Sequence, residues 1–352
     1  MPCPYLFSIL AFMRCLDGIA SSLLDCVRPV DRIGPRGDDL TLLLRRSEVA
    51  DLLDLPQAMS VLEKTFHEQS AGKVKQVPPL RFMNRGMRMV VGGLEAQDKN
   101  GFRVSVTGGE SLAMLFEISS GELLSLMGYP FSNLRIGATV GLAVDRFANP
   151  DAKTVAMIGS GRLALPVLEA ACAVRPIERV LVYSRSAEKR QAFARKASEA
   201  LKISVTAVAS AEQTIESAEM VLVSTNSPSA ALCGKWLRPG VSVFGVGRPN
   251  EFDDDVYLRA GLICVTSKTH ELGYYDTKLD QPLIRLAQNG TISWDSIAEF
   301  GDILSGKIPL LEKSNSIIVF RDSQGGYGDL ALAAWAYDEA RRRGLGREIS
   351  VE

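Results

Sequence analysis

One stretch, Val155 to Ser186, constrains the fold more than any other. An apolar run, Val155-Ala-Met-Ile158, meets Gly159-Ser160-Gly161-Arg162-Leu163-Ala164, then a second apolar run, then Arg179-Val-Leu-Val-Tyr183-Ser184-Arg185-Ser186. That order reads as strand, glycine turn, helix and strand, the βαβ unit that holds a dinucleotide. Gly159 lets the chain turn sharply off the strand. Gly161, without a Cβ, lets a pyrophosphate approach the backbone. Ala164 is small enough for helix and strand to pack closely, and the helix start offers free N–H groups to phosphate. Gly159, Ser160, Gly161, Arg162 and Leu163 are therefore candidate cofactor residues.

The end of the second strand selects between cofactors. A site for NAD(H) usually places Asp or Glu there, to hold the ribose hydroxyls. This chain has Ser184, Arg185 and Ser186, with Lys189 and Arg190 close behind. A guanidinium and two hydroxyls suit a 2′-phosphate that an acid would repel. NADP(H) is the expected cofactor and NAD(H) the alternative. Thr225 and Gly247, at the ends of later strand-like runs, are expected to face the same crevice.

Composition excludes several classes. Lys plus Arg is 40 and Asp plus Glu 41, a net charge of −1, which gives no reason to expect a nucleic-acid partner. Two histidines, His67 and His270, cannot build a multi-histidine metal site, and no metal is expected. Six cysteines form no C-x-x-C pair and read as reduced thiols, which fits a cytoplasmic setting. The apolar run Tyr5 to Met13 is too short to span a bilayer. Its first basic residue, Arg14, follows the run, unlike the basic start of a secretory signal. Residues 1–40 are expected to be a poorly packed extension, and no membrane association is expected.

From Leu42 the chain reads as folded. Strand-like pieces at Leu80–Met83, Met87–Val91, Phe102–Val106, Ala113–Glu117 and Leu123–Met127 suggest a mainly antiparallel block, with turns at Asn84-Arg-Gly86 and Ser119-Ser-Gly121. Leu134 to Phe147 reads as helix, and Asn149-Pro150 as a boundary. Beyond it, strands and helices alternate in the manner of a parallel sheet. Asp295–Leu304 is expected to be one helix, Ser316–Phe320 a strand, and Leu330–Arg343 a closing helix stopped by Gly344. The fold class is α/β. It comprises a Rossmann domain at 149–307 and a second α/β domain to carry the substrate at 41–148, completed by about 308–352.

Together several segments resemble the ornithine cyclodeaminase/mu-crystallin family. They are Val77-Pro-Pro-Leu-Arg81, Gly101-Phe-Arg103-Val, Leu134-Arg135-Ile-Gly-Ala-Thr, Ile158-Gly-Ser-Gly161, Val223-Ser-Thr225 and Gly245-Val-Gly247. Glu299-Phe-Gly-Asp-Ile-Leu-Ser-Gly-Lys307, Val319-Phe-Arg-Asp-Ser and Gly328-Asp329-Leu-Ala continue the match, in one order from about Leu42 to Gly346. The resemblance implies a small amino or imino acid as substrate and a homodimer whose sheets join across a two-fold axis. It further implies that Arg81 and Arg135 hold a substrate carboxylate, for which a planar guanidinium fork is suited.

Two departures bear on function. The family's catalytic Lys is replaced by Arg103, which can hold a carboxylate or stabilise negative charge but is a poor proton shuttle. Lys99, four residues earlier, is the nearest lysine in sequence. The loop after Gly247 lacks the Asp that cyclodeaminases carry; Glu251 and Asp253 lie there and read as helix N-terminal acids. Leu163 also stands where the family often has Gln. The expectation is an NAD(P)H-dependent oxidoreductase acting on a small amino or imino acid, with Arg103 at the reacting centre. The alternatives are a cyclodeaminase, turning ornithine into proline and ammonia, or an NADPH-binding protein without turnover.

Overall fold

The structure, a computed structural model, describes residues 40–82, 86–106, 108–273, 280–310, 315–323 and 326–351; the side chains of Arg81 and Phe82 lie outside that description. The expected extension at 1–39 and part of the turn at Asn84-Arg-Gly86 also fall outside it.

The chain enters along β1 (Thr41–Leu44) and soon forms α1 (Leu55–Ser70). Asp54 caps that helix: its side chain accepts from the Gln57 N–H while the Gln57 side chain reaches back to the Asp54 N–H, with Pro56 in the first turn. Ala58, Leu62 and Phe66, spaced for one helical face, are buried. Next come β2 (Val74–Gln76), β3 (Leu80–Phe82), β4 (Met87–Leu94), β5 (Lys99–Val106), β6 (Ser111–Glu117) and β7 (Leu123–Gly128). Neighbouring strands from β4 to β7 pair antiparallel, as their alternation and turns predict.

The helix α2 (Ser132–Phe147) is apolar nearly all round and buried through most of its length. Small residues let it lie close to its neighbours. A Cβ on Gly137 would stand 2.8 Å from the Pro166 carbonyl oxygen. The helix stops at Ala148, ahead of Asn149-Pro150.

The second sheet begins at β8 (Thr154–Ile158), followed by α3 (Ala164–Val174), β9 (Arg179–Tyr183), α4 (Ala187–Leu201) and β10 (Ser204–Ala207). Then come β11 (Met220–Val223), β12 (Ser242–Gly245), α5 (Asp254–Leu258), β13 (Ala260–Val265), α6 (Lys268–Gly273), β14 (Ala298–Glu299) and β15 (Ile317–Arg321). The sheet is parallel throughout, in the order β10-β9-β8-β11-β12-β15-β13-β14. Its first five strands follow the doubly wound order, with the direction of winding reversing between β8 and β11. Ligands of such sheets bind beyond the strand ends at that reversal.

The chain ends in α7 (Gly326–Arg343), which packs on β4 and β5 of the first sheet, and β16 (Arg347–Ile349), which pairs with β1. Gly344, at φ +66°, ends the helix as expected.

Two expectations are corrected. Ile317–Arg321, expected within the segment that completes the first domain, instead fills the slot between β12 and β13 of the parallel sheet. Its five residues are buried without alternation, which suits a strand covered on both faces and bonded on both edges. Asp295–Leu304 is not one helix: a 3-10 turn (Trp294–Ser296), the two-residue strand β14 and a short helix (Phe300–Leu304) share it. Pairing of Ala298 with Cys264 pulls the middle of the segment into the sheet edge.

Candidate active site

Gly159 closes β8 with φ +112°, and a Cβ there would collide with the Ser224 carbonyl oxygen at the end of β11. The first glycine is therefore required by the backbone itself, at the point where the winding of the sheet reverses. Gly161 differs: it is exposed, and a Cβ would meet nothing within 4 Å. It keeps the approach to the N-terminus of α3 open, and that cradle fits the pyrophosphate of a dinucleotide. A Gly161→Ala variant should keep the wild-type melting temperature within about 2 °C yet lose about tenfold or more in cofactor affinity, whereas Gly159→Ala should melt markedly lower. Differential scanning fluorimetry beside a cofactor titration separates the two.

At the end of β9, the Ser160 hydroxyl donates to Ser184 Oγ (2.8 Å), and the Ser184 hydroxyl donates to the Ser186 carbonyl (3.3 Å). Ser184 thus ties the glycine turn to the second strand. Ser186 caps α4 by accepting from the Lys189 N–H, and Arg185 is exposed. Arg190 donates to the Ser184 carbonyl (3.0 Å), its guanidinium 5.7 Å from the Tyr183 ring centroid. Of the basic residues after the strand, Arg190 braces the turn while Arg185 and Lys189 face solvent.

The arginines of the first lobe converge on an acid to which the sequence alone gives no role. Asp329, in the first turn of α7, is buried; Arg103 Nε, from β5, donates to its Oδ2 at 2.9 Å. Arg135 Nε, from α2, lies 3.5 Å from Oδ1, and the Tyr129 hydroxyl donates to Oδ1 at 3.1 Å. Arg135 also donates to Asp322 (2.8 Å), just beyond β15, while Arg103 reaches the Ser111 hydroxyl (3.3 Å) and lies 5.5 Å from the Tyr129 ring centroid. Burial alone would raise the Asp329 carboxyl, but Arg103, Arg135 and Arg88 outweigh it and hold it below the usual carboxylate range. The cluster is a buried wall in which two arginines meet two aspartates, so that its charges balance.

This wall adjoins the phosphate turn. Arg162, within the turn, bonds the Asn133 side chain, and burial followed by the nearby positive charge of Arg103 lowers its pKa. Leu163 precedes α3 and is half-buried against the core. Arg81 pairs with Arg88 across β3 and β4. Lys99 does not join the cluster: it meets Asp338 at 3.3 Å near the surface. His270, on α6, donates from Nε2 to the Val77 carbonyl (2.9 Å); burial lowers its pKa to about 4, so it is neutral.

The acids after Gly247 resolve into two different residues. Asp253 caps α5 by accepting from the Val256 N–H, as expected of a helix N-terminal acid. Glu251 does not. It is fully buried, its two oxygens each 3.1 Å from the Gly247 N, with Arg321 at 3.6 Å. Neither acid is free to manage protons in an open pocket. Among the described residues, no group of three or more His, Cys, Asp or Glu is arranged to hold a metal.

The fold and the turn define a Rossmann-type α/β protein in which a dinucleotide cradle adjoins an arginine cluster. Residues 40–344 match the ornithine cyclodeaminase/mu-crystallin family, and the chain belongs to it. A Delta(1)-pyrroline-2-carboxylate reductase of Bacillus cereus is 32% identical over 246 residues, which is 68% of this chain and 73% of that protein. The structure of the Thermococcus litoralis Delta(1)-pyrroline-2-carboxylate reductase, in complex with NADH and L-proline, superimposes with a TM-score of 0.78. It is 26% identical, and the match covers 88% of this chain and all of that one. An archaeal alanine dehydrogenase dimer shares the fold, with a TM-score of 0.78 at 22% identity.

Proposed function

We propose that this protein is a nicotinamide-dependent imino-acid reductase, which converts a small carboxylic acid bearing a C=N bond into the corresponding amino acid. The observation that carries this reading is the arginine cluster around Asp329 beside the glycine turn of β8. The family relatives that reduce pyrroline-2-carboxylate support it.

When bound, the cofactor supplies the hydride that the imine carbon accepts. Gly159, Ser160, Gly161, Arg162 and Leu163 would hold its pyrophosphate, with Thr225 and Gly247 flanking the crevice. Arg135 and Arg81 would clamp the substrate carboxylate, and Arg103 would face the reacting centre. Arg103 cannot release a proton near neutrality, and Asp329 is held ionised. The site therefore suits a substrate that enters with its imine nitrogen already protonated. That requirement separates a reductase from a cyclodeaminase, whose ammonia loss and ring closure need a group that takes up and returns protons.

NADPH is the proposed donor, because Arg185 is exposed beside Ser186 at the end of β9, where an acid would serve NADH. Replacing Arg185 by Asp should lower the preference for NADPH over NADH by about tenfold or more, measured as the ratio of kcat/KM values. An unchanged ratio would remove Arg185 from the 2′-phosphate site. A homodimer is also proposed. The exposed Leu80, Met87, Val106 and Leu112 share the face of the first sheet opposite Arg103, an apolar stripe suited to a second copy. Among the described residues no helix is long and apolar enough to cross a membrane. The cysteines Cys172, Cys233 and Cys264 are free thiols, which suits a cytoplasmic setting.

The test follows NADPH absorbance with purified protein and Delta(1)-pyrroline-2-carboxylate among a panel of cyclic imino acids. Steady oxidation that depends on the imino acid is expected. Tight NADPH binding without oxidation across the panel would overturn the reductase reading in favour of a binding protein.

A further inference from the structure

The loop after β12 hides a carboxylate with no part in the chemistry above. Glu251 is the last residue of a short 3-10 turn (Pro249–Glu251), and its side chain points back under the ends of β11 and β12. It accepts from the Gly247 N–H and is hydrogen-bonded by the Thr225 backbone. Both residues lie at the mouth of the proposed crevice. The carboxylate also explains the two glycines flanking Val246. A Cβ on Gly245 would collide with Glu251 Oε1, and one on Gly247 with Glu251 Oε2 and the Thr225 carbonyl oxygen.

Behind Glu251 the charges are shared out unevenly. From β15, Arg321 lies 3.6 Å from Glu251 and donates to Glu271, on α6, at 2.9 Å. Among the described residues, Tyr257, on α5, is a further titratable neighbour of Arg321, Glu271 and Glu251. All four side chains are buried, and two carboxyl groups lean on a single guanidinium.

We propose that Glu251 is a positioning residue for the cofactor, holding Thr225 and Gly247 where the dinucleotide binds against them. The inference rests on the cofactor reading given above. Its ionised form offers acceptors on both oxygens to the two N–H groups and Arg321, whereas the protonated form turns one acceptor position into a donor. Burial pushes the carboxyl up to about 8, against the pull of Arg321 and the two backbone donors. The switch between the two forms thus falls near neutral pH. Because the ionised form holds the strand ends, cofactor binding favours ionisation, and linkage makes affinity rise with pH.

The test is a fluorescence titration of NADPH and of NADH into the apoprotein at several pH values; NADH lacks the 2′-phosphate and its own titration. Wild-type affinity for both should rise about tenfold between pH 6.5 and pH 9, the effect of a one-unit shift of the Glu251 pKa on binding. Glu251→Gln should bind like the wild type at pH 6.5 and show no such rise. Wild-type binding that is flat with pH overturns the inference alone, whether or not the variant folds. A folded Glu251→Gln protein that keeps the wild-type rise also overturns it. Wild-type protein that binds neither cofactor overturns the underlying cofactor reading and this inference with it.

Discussion

Asp329→Ala is expected to cost about 3–5 kcal/mol of folding free energy, the range seen when one partner is removed from a buried ion pair. Asp329 is fully buried and is shared by Arg103 at 2.9 Å and Arg135 at 3.5 Å. Its loss leaves Arg103 without a carboxylate and the Tyr129 hydroxyl without its acceptor. Arg135 keeps Asp322, so the damage centres on β5. The acid also sits in the first turn of α7, where a negative charge suits the helix end. Urea unfolding of the wild type and the variant measures the difference, and a loss below about 1 kcal/mol would mean that the arginines find other partners. The pH dependence has a definite sign. The folded-state pKa of Asp329 is depressed, so its contribution is present above the unfolded value of 3.8 and is lost as pH falls through the lower folded value.

Arg103→Met is expected to lower kcat/KM for the imino acid by about 100-fold or more, as removal of one preorganised charge from a reacting centre does. Cofactor affinity should stay within about twofold, because the glycine turn lies on a different lobe and keeps all its bonds. The folding cost should be smaller than for Asp329→Ala, since Asp329 retains Arg135 and the Tyr129 hydroxyl. Arg103→Lys should also be impaired. One ammonium cannot match the guanidinium fork, which meets Asp329 through Nε and Ser111 through Nη1. Steady-state kinetics with a separate cofactor titration checks both variants. Full activity in Arg103→Met would place the reacting centre elsewhere.

These two residues differ in how far they were legible beforehand. Arg103 stood out because it occupies the position of the family's lysine. Asp329 was visible only as one letter of a motif, and Asp322 and Tyr129 likewise gave no functional signal. Buried arginines demand counter-charges, so the need for an acid could have been stated; which acid could not. Tyr129 and Asp329 are 200 positions apart, and Arg135 and Asp322 are 187. Glu251 shows the same limit from the other side. Its position after Gly247 looked like an ordinary helix start, and only the packing of Arg321 and the glycines Gly245 and Gly247 turned it inward.

By itself the sequence determined the features whose physics acts over a few residues. The strand, turn and helix around Gly159, the capped start of α1 at Asp54, the antiparallel strands from β4 to β7 and the stop at Gly344 all depend on neighbouring φ/ψ preferences, local hydrogen bonds and side-chain periodicity. Tertiary structure alone decided that β15 would slot between β12 and β13, that Asp329 would collect two arginines, and that Glu251 would be buried while Asp253 caps a helix. Those outcomes depend on which distant backbone edges and charges meet once water is excluded. A buried strand edge or a buried charge must then find its partner wherever the fold has brought one.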